Sequence, residues 1–332
     1  MADAVPTRAW WQRTDILIAI GVVAIVLMLI IPIPAMLLDF LIAVSFALGL
    51  ITIITIMYMK RAIDLSVFPS LLLVSTVYRL AVNVSSTRLI LLQGPAFNGK
   101  IIRAFGQFVV GGNYVVGIII FLILIAVQFI VITKGATRVS EVAARFTLDA
   151  MPGKQMAIDA DVSAGLMTEE EAIQKRIDIQ READFYGAMD GASKFVQGDV
   201  RVGLLITIIN IVGGLIIGIA MRGETLKSAV STYTMLTVGD GLVSQIPSLM
   251  MSTATGIIVT RAVSKDDLGT EITAQLLSQP RTLWIGAGFL FFLAILPGFP
   301  KIPLIVLGLI LVALGIYLHR GLKFGPEEPE RG

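Results

Sequence analysis

The chain has 332 residues, 56% of them hydrophobic and 15% charged, with a mean hydropathy of +0.86, an apolar content above that of an ordinary soluble domain. Its 26 basic and 24 acidic residues nearly cancel, which argues against the concentrated basic patch that nucleic-acid binding requires. Zero cysteines exclude disulfides and thiolate metal sites, and one histidine, His319, cannot make a histidine cluster, so no metal or other cofactor is expected and the partners should be lipid and protein.

The opening MADAVPTRAWWQRTD carries charges, Trp10 and Trp11, with no small-residue cleavage site after it, and reads as a retained membrane anchor rather than a signal peptide. A span needs about 20 mostly apolar residues. The first block, residues 1–133, offers four, at 16–34, 37–59, 67–92 and 104–133. Asp39 and Asp64 flank the second and third, where interfacial charge is the better reading. Within the third, Arg79 shares a helical face with Ser75, Asn83, Ser86 and Thr87, whereas Arg88 lies on the opposite side and is expected to snorkel. Residues 94–100, GPAFNGK, imitate the start of a phosphate loop, but Ile101 stands where Ser or Thr must ligate magnesium and no strand precedes. An outer turn, not an ATP site, is expected.

Residues 134–199 form a charged segment between two membrane blocks, long enough for a small helical subdomain. On a helix over residues 138–148, Arg138, Glu141, Arg145 and Asp149 recur at helical spacing and alternate in sign. The pattern predicts that this helix stops before Pro152-Gly153, which leaves Asp149 at a carboxyl end that disfavours an acid. A structural ion-pair network and a direct role in gating both remain open for these four residues. Thr168 followed by Glu171 is a capping box, so a second helix starts there, supported by Glu171 and Lys175 and expected to end before Gly187.

Four further spans follow in residues 200–319, at 200–221, 233–261, 282–296 and 302–318, the last two joined by the tight turn PGFPKIP. Trp284 near a span end fits interfacial anchoring. Asn210, Gly214 and Gly218 share a face, and the GxxxG spacing allows close helix approach within or between subunits. Asp240 begins a stripe with Ser244, Ser248, Ser252 and Thr255, and Pro247 frees a carbonyl beside it. Asp199 stands at the mouth of the fifth span. Ionisable groups in lipid are costly enough that a functional role is the default for Asp240 and Arg79, and Asp199 could exchange protons with water. Residues 320–332 are Pro/Gly/charge-rich and read as the start of a linker.

The expectation is therefore an all-α polytopic membrane protein of about eight spans, with a small cytoplasmic helical subdomain between the fourth and fifth. With the amino terminus inside, the short cytoplasmic segments hold ten Lys/Arg and the outer loops five, which places both the amino terminus and the central segment in the cytoplasm. No nucleophile–base set, nucleotide loop or metal cluster survives, so the chain is not expected to be an enzyme. Its residues alone suggest a proton- or cation-coupled transporter.

Two segments, RVSEVAARFTLDAMPGKQMAIDAD at residues 138–161 and ADFYGAMDGASKFVQGD at 183–199, carry a resemblance to the FHIPEP family of type III secretion export-gate proteins that extends over essentially the whole chain. The resemblance implies a homo-oligomeric ring, a nonamer, in the bacterial cytoplasmic membrane. It also implies contact with other membrane export proteins, and coupling of the ion-motive force to export of unfolded substrates. Substrates, chaperones and the ATPase complex would meet a large cytoplasmic domain expected beyond residue 332. The family's important charges fall on Arg138, Arg145, Asp149, Asp199 and Asp240. The wording DFYGAMDGASKF resembles the flagellar branch more than the injectisome branch. A purely structural scaffold ring, or a self-sufficient ion antiporter, are the alternatives.

Overall fold

A backbone crossing hydrocarbon must satisfy its own amides, and a chain this apolar does so by forming helices. The computed structural model describes residues 14–110, 113–261, 267–277 and 279–319, and among them every regular element is helical. In chain order these are α1 (Thr14–Ile30), α2 (Ala35–Tyr58), α3 (Phe68–Gln93), α4 (Lys100–Val110), α5 (Tyr114–Ala126), α6 (Lys134–Ser163), α7 (Glu169–Ile216), α8 (Leu226–Thr260), α9 (Leu268–Leu277), α10 (Pro280–Ile295) and α11 (Lys301–His319). Six stretches are long and apolar enough to cross a membrane: Ala35–Tyr58, Phe68–Ala96, Tyr114–Ser163, Glu169–Met221, Leu226–Thr260 and Lys301–Leu318. Two more apolar helices, Ile16–Ile30 and Pro280–Ile295, are shorter than that. Trp10, Trp11 and the linker at 320–332 lie outside the described residues.

The chain divides into two compact units. The first holds α1, nearly all of α2, and α3 to α8. Outside the charged segment 134–199 its surface is largely apolar, with Phe40, Ile51, Leu205 and Ile216 more than half exposed, while Arg79, Asn83, Gln128, Asp199, Asn210 and Asp240 are buried. That inversion of the soluble pattern is what lipid as solvent demands. Its main apolar core joins α2, α3, α4 and α8 through Leu38, Ile42, Tyr78, Ile90, Ile102, Tyr233 and Leu236. The second unit contains α9 and the hairpin of α10 and α11, which turns at Gly298 (φ 92°) as the PGFPKIP reading requires.

Three helix boundaries differ from the sequence reading. The span expected at 104–133 is broken: α4 stops at Val110, and the Asn113 side chain accepts from the Val115 and Val116 amides to start α5. The helix over residues 138–148 does not end before Pro152, because α6 runs through it to Ser163. Proline removes one hydrogen bond and strains the turn before it. On α6 this occurs along exposed residues where water can take the freed carbonyl, and packing along α7 carries the helix onward. Asp149 therefore sits in mid-helix, and the dipole argument for a fixed cationic partner lapses. Nor does the helix begun at Thr168 end before Gly187; α7 passes Gly187, Gly191 and Gly198 and enters the membrane block without interruption. Helical glycines cost only about 1 kcal/mol each, and Ala183, Tyr186, Met189, Ala192 and Val196 bury one continuous face of this stretch.

Residues 134–199 are consequently the distal arms of a helical hairpin, continuous with the spans on both sides. Gly165 (φ 72°) turns the chain at its tip. Lys154–Glu182 at 2.8 Å and Arg176–Asp159 tie the two arms together. The capping box is formed as expected: the Thr168 hydroxyl accepts from the Glu171 amide at 3.2 Å, and the Glu171 carboxylate accepts from the Thr168 amide at 3.0 Å.

Candidate functional site

Most of the charged residues singled out from sequence near or within the spans have local structural work. Asp39 accepts from the backbone amides of Lys100 and Ile101 at 2.9 and 3.2 Å, and so caps α4. That places the chain's own carboxylate on the amides at the end of GPAFNGK, where a phosphate would have to sit. Asp64 pairs with Arg61 at 3.0 Å. Arg88, expected to snorkel, donates to the Leu29 and Ile30 carbonyls at the end of α1. Arg222 does the same for α3 through Leu91 and Leu92, and Arg261 for α2 through Ile56. Helix ends near lipid leave carbonyls that nothing else satisfies, and a guanidinium supplies both donors and the favoured charge.

Arg79 and Asp199 are different. They face one another from α3 and α7, 3% and 7% exposed, with the guanidinium Nη2 donating to the carboxylate at 2.8 Å and Nε donating at 3.2 Å. Thr76 accepts a further bond from Nη2, while Nη1 is buried with no hydrogen-bond partner. Sequence reasoning named both residues without pairing them, since 120 positions separate them.

Asp240 lies on α8, 6% exposed. Its carboxylate accepts from the side-chain amide of Asn210 at 3.3 Å, Ser86 stands beside it, and it has no ion pair among the described residues. Asn210 is placed by the close packing of α7 on α8: a Cβ on Gly214 would collide with the Tyr233 ring, and one on Gly218 would lie 2.7 Å from it. The GxxxG face thus packs within the chain, which fixes Asn210 against Asp240.

Two small cavities connect these groups. One of about 40 Å³ is lined by Arg79, Asn83, Gln128, Asp199, Ser244 and Ser248 among others. The second, of about 10 Å³, is lined by Ser45, Arg79, Asn83, Asp240 and Ser244 among others. Volumes of this size accommodate one to a few water molecules. The hydroxyls of Ser248 and Ser252 are buried without a partner, and Ser248 lines the larger cavity, whereas Ser244 and Thr255 bond the Gly241 and Met251 carbonyls of their own helix. Gln128 was missed from sequence. It lies in the π-helical segment Val127–Thr133, a distortion frequent at functional sites, and an amide inside an otherwise apolar run was the available signal.

The signature residues fall elsewhere, on the hairpin. Arg138 pairs with Glu141 at 2.8 Å on an exposed face. Arg145 and Asp149 are exposed, and neither makes an ion pair with another described residue.

The model of the FHIPEP family matches residues 25–331. The chain belongs to the FHIPEP family. It is 55% identical to the flagellar biosynthesis protein FlhA of Borreliella burgdorferi over 92% of this chain and 45% of that protein. With the FlhA of Bacillus subtilis it is likewise 55% identical, over 95% of this chain and 46% of the relative. The low calcium response locus protein D of Yersinia pestis is 47% identical over 93% of this chain and 44% of its own length. The chain thus spans a little under half the length of these relatives. No solved structure matches it.

Proposed function

We propose that this FHIPEP chain is the membrane part of an export gate of the flagellar type III secretion apparatus. It sits in the bacterial cytoplasmic membrane with its amino terminus and the α6–α7 hairpin in the cytoplasm. It assembles as a homo-oligomeric ring, a nonamer, beside other membrane export proteins. Export substrates, chaperones and the ATPase complex meet a domain beyond this chain. Its role is ion-coupled transport rather than enzymatic catalysis. The likeness to relatives bearing the FlhA name supports the flagellar branch, and the excess of Lys/Arg on the inner segments supports the orientation. Arg145 and Asp149, exposed and without ion pairs among the described residues, serve contacts between neighbouring subunits.

The observation that carries ion coupling is the burial of two carboxylates, Asp199 and Asp240, beside water-sized cavities between spanning helices. A carboxylate in such surroundings alternates between charged and neutral forms at low energetic cost only if a cation or proton arrives to balance it. That requirement links occupancy of the site to the ion gradient. Replacing Asp199 with Asn keeps the shape and removes the titration; we expect export to stop while the ring still assembles. Asp240→Asn instead alters how export depends on the gradient. Secretion of flagellar substrates into the medium, measured with and without a protonophore at matched protein levels, tests both. Wild-type export with unchanged gradient dependence in both variants would leave the scaffold reading. The injectisome branch is the second reading, because a relative at 47% identity does not carry the flagellar name.

A further inference from the structure

Among the described residues, the two cavities beside the carboxylates are lined by one cation, Arg79. Arg79 lines both cavities, the one that holds Asp199 and the one that holds Asp240. It is bonded to Asp199 through Nε and Nη2, while its third nitrogen, Nη1, is buried and unbonded. The other groups facing Asp240 are neutral: Asn210 from α7, Ser86 and Asn83 from α3, Ser45 from α2 and Ser244 from its own helix. Those facing Asp199 across its cavity, Gln128, Thr207 and Ser248, are neutral as well. Two ionised carboxylates would therefore leave a net negative charge in a low-dielectric interior, where an unpaired ion costs several kcal/mol and takes up a proton instead.

We propose that Arg79 is a shared, two-position counterion, paired with Asp199 in this structure and with Asp240 in a second state, so that only one of the two carboxylates is ionised at a time. The inference rests on the coupling role given above to Asp199 and Asp240. The charge balance is closed in both states: one guanidinium, one carboxylate, one neutral carboxylic acid. When Arg79 leaves Asp199, that carboxylate takes a proton from water in its cavity, and Asp240 releases a proton to water in its own as the guanidinium arrives. One proton is thus taken up and one released per movement, and no charge is stranded. An arginine suits the task because its charge is permanent and its planar fork can bond either acid.

The C=O stretch of a protonated carboxyl, read by infrared spectroscopy of the chain in lipid at neutral pH, tests this without any reagent having to enter the site. The wild-type protein is expected to show one such buried group, lost in Asp240→Asn. It is also expected to vanish in Asp199→Asn, because Arg79 then moves to Asp240 and holds it ionised, and roughly to double in Arg79→Gln. Persistence of the band in Asp199→Asn overturns the proposal, as does its absence from the wild type. Failure of Asp199→Asn to fold, judged by thermal unfolding, also counts against it, since a guanidinium with a second partner is not left unpaired. Export assays on the same variants separate the two readings. A persistent band with export still blocked refutes the shared counterion alone, whereas normal export in both aspartate variants refutes the coupling role.

Discussion

Gly239 and Gly198 are both glycines inside long helices, yet they differ in what a methyl group would meet. On Gly239 of α8 a Cβ would collide with the Ile102 carbonyl oxygen and approach the Gly106 amide nitrogen to 2.9 Å, because α4 and α8 pack backbone to backbone there. Around Gly198 there is open space. Overpacking a tight contact costs about 1–3 kcal/mol, whereas Gly→Ala in an open helical position gains up to about 1 kcal/mol. Gly239→Ala is therefore expected to lower the thermal unfolding midpoint in mild detergent and Gly198→Ala to hold or raise it; midpoints moving down together would contradict the α4–α8 contact. The same residues show where sequence reading stops. Gly214 and Gly218 were legible as a packing face because their spacing is a motif, while Gly106 and Gly239 meet only through the fold and follow no local pattern. Asp199, Asp240 and Arg79 were legible as costly charges, but the partner of each was not, since spacing along one helix is silent about a helix elsewhere in the chain.

Helix starts proved easier to read than helix ends. Thr168 and Glu171 fix the start of α7 by local hydrogen bonds that any solvated chain would form. The ends expected at Pro152 and Gly187 failed because packing along the hairpin outweighs a local break of a few kcal/mol at most. The hydrogen bond from the Thr168 amide, seconded by the hydroxyl, holds the Glu171 carboxyl below its ordinary value. A carboxyl whose folded value is depressed stabilises at neutral pH, where it is ionised in both states, and loses that contribution as pH falls below the ordinary glutamate range through the lowered folded value. Hydrogen exchange at the Glu169 to Glu171 amides should thus show less protection, after correction for the intrinsic rate, at acid pH than at neutral pH. Thr168→Ala should speed exchange of the Glu171 amide about fivefold at neutral pH, in keeping with ~1 kcal/mol for a lost cap, while most of the pH-dependent difference remains, because the Thr168 backbone amide that chiefly lowers the Glu171 carboxyl is kept. Unaltered protection in Thr168→Ala would mean that packing of α6 on α7 alone holds the tip.

The molecule as a whole offers a direct test of its orientation, because a chain without cysteines permits single-cysteine labelling without background. Lys175→Cys at the hairpin is expected to react with an impermeant maleimide only after the cells are opened, and Asn98→Cys in intact cells; the reverse pattern would invert the topology. The polytopic helical class was plain from composition, whereas the count of eight spans was less secure, since α1 and α10 fall short of the length that six others reach. What sequence gave no reason to expect is the continuity of α7, a single helix of 48 residues. From its first residue to Asp199 it rises about 45 Å at 1.5 Å per residue. A tilt of about 5° pivoting at Asp199 would carry the hairpin tip through about 4 Å, on the order of one helical turn's pitch. The hairpin tip and Asn210 lie on one continuous helix, so a tilt that moves the tip by about 4 Å would displace Asn210, roughly 16 Å beyond the pivot, by about 1.4 Å against Asp240.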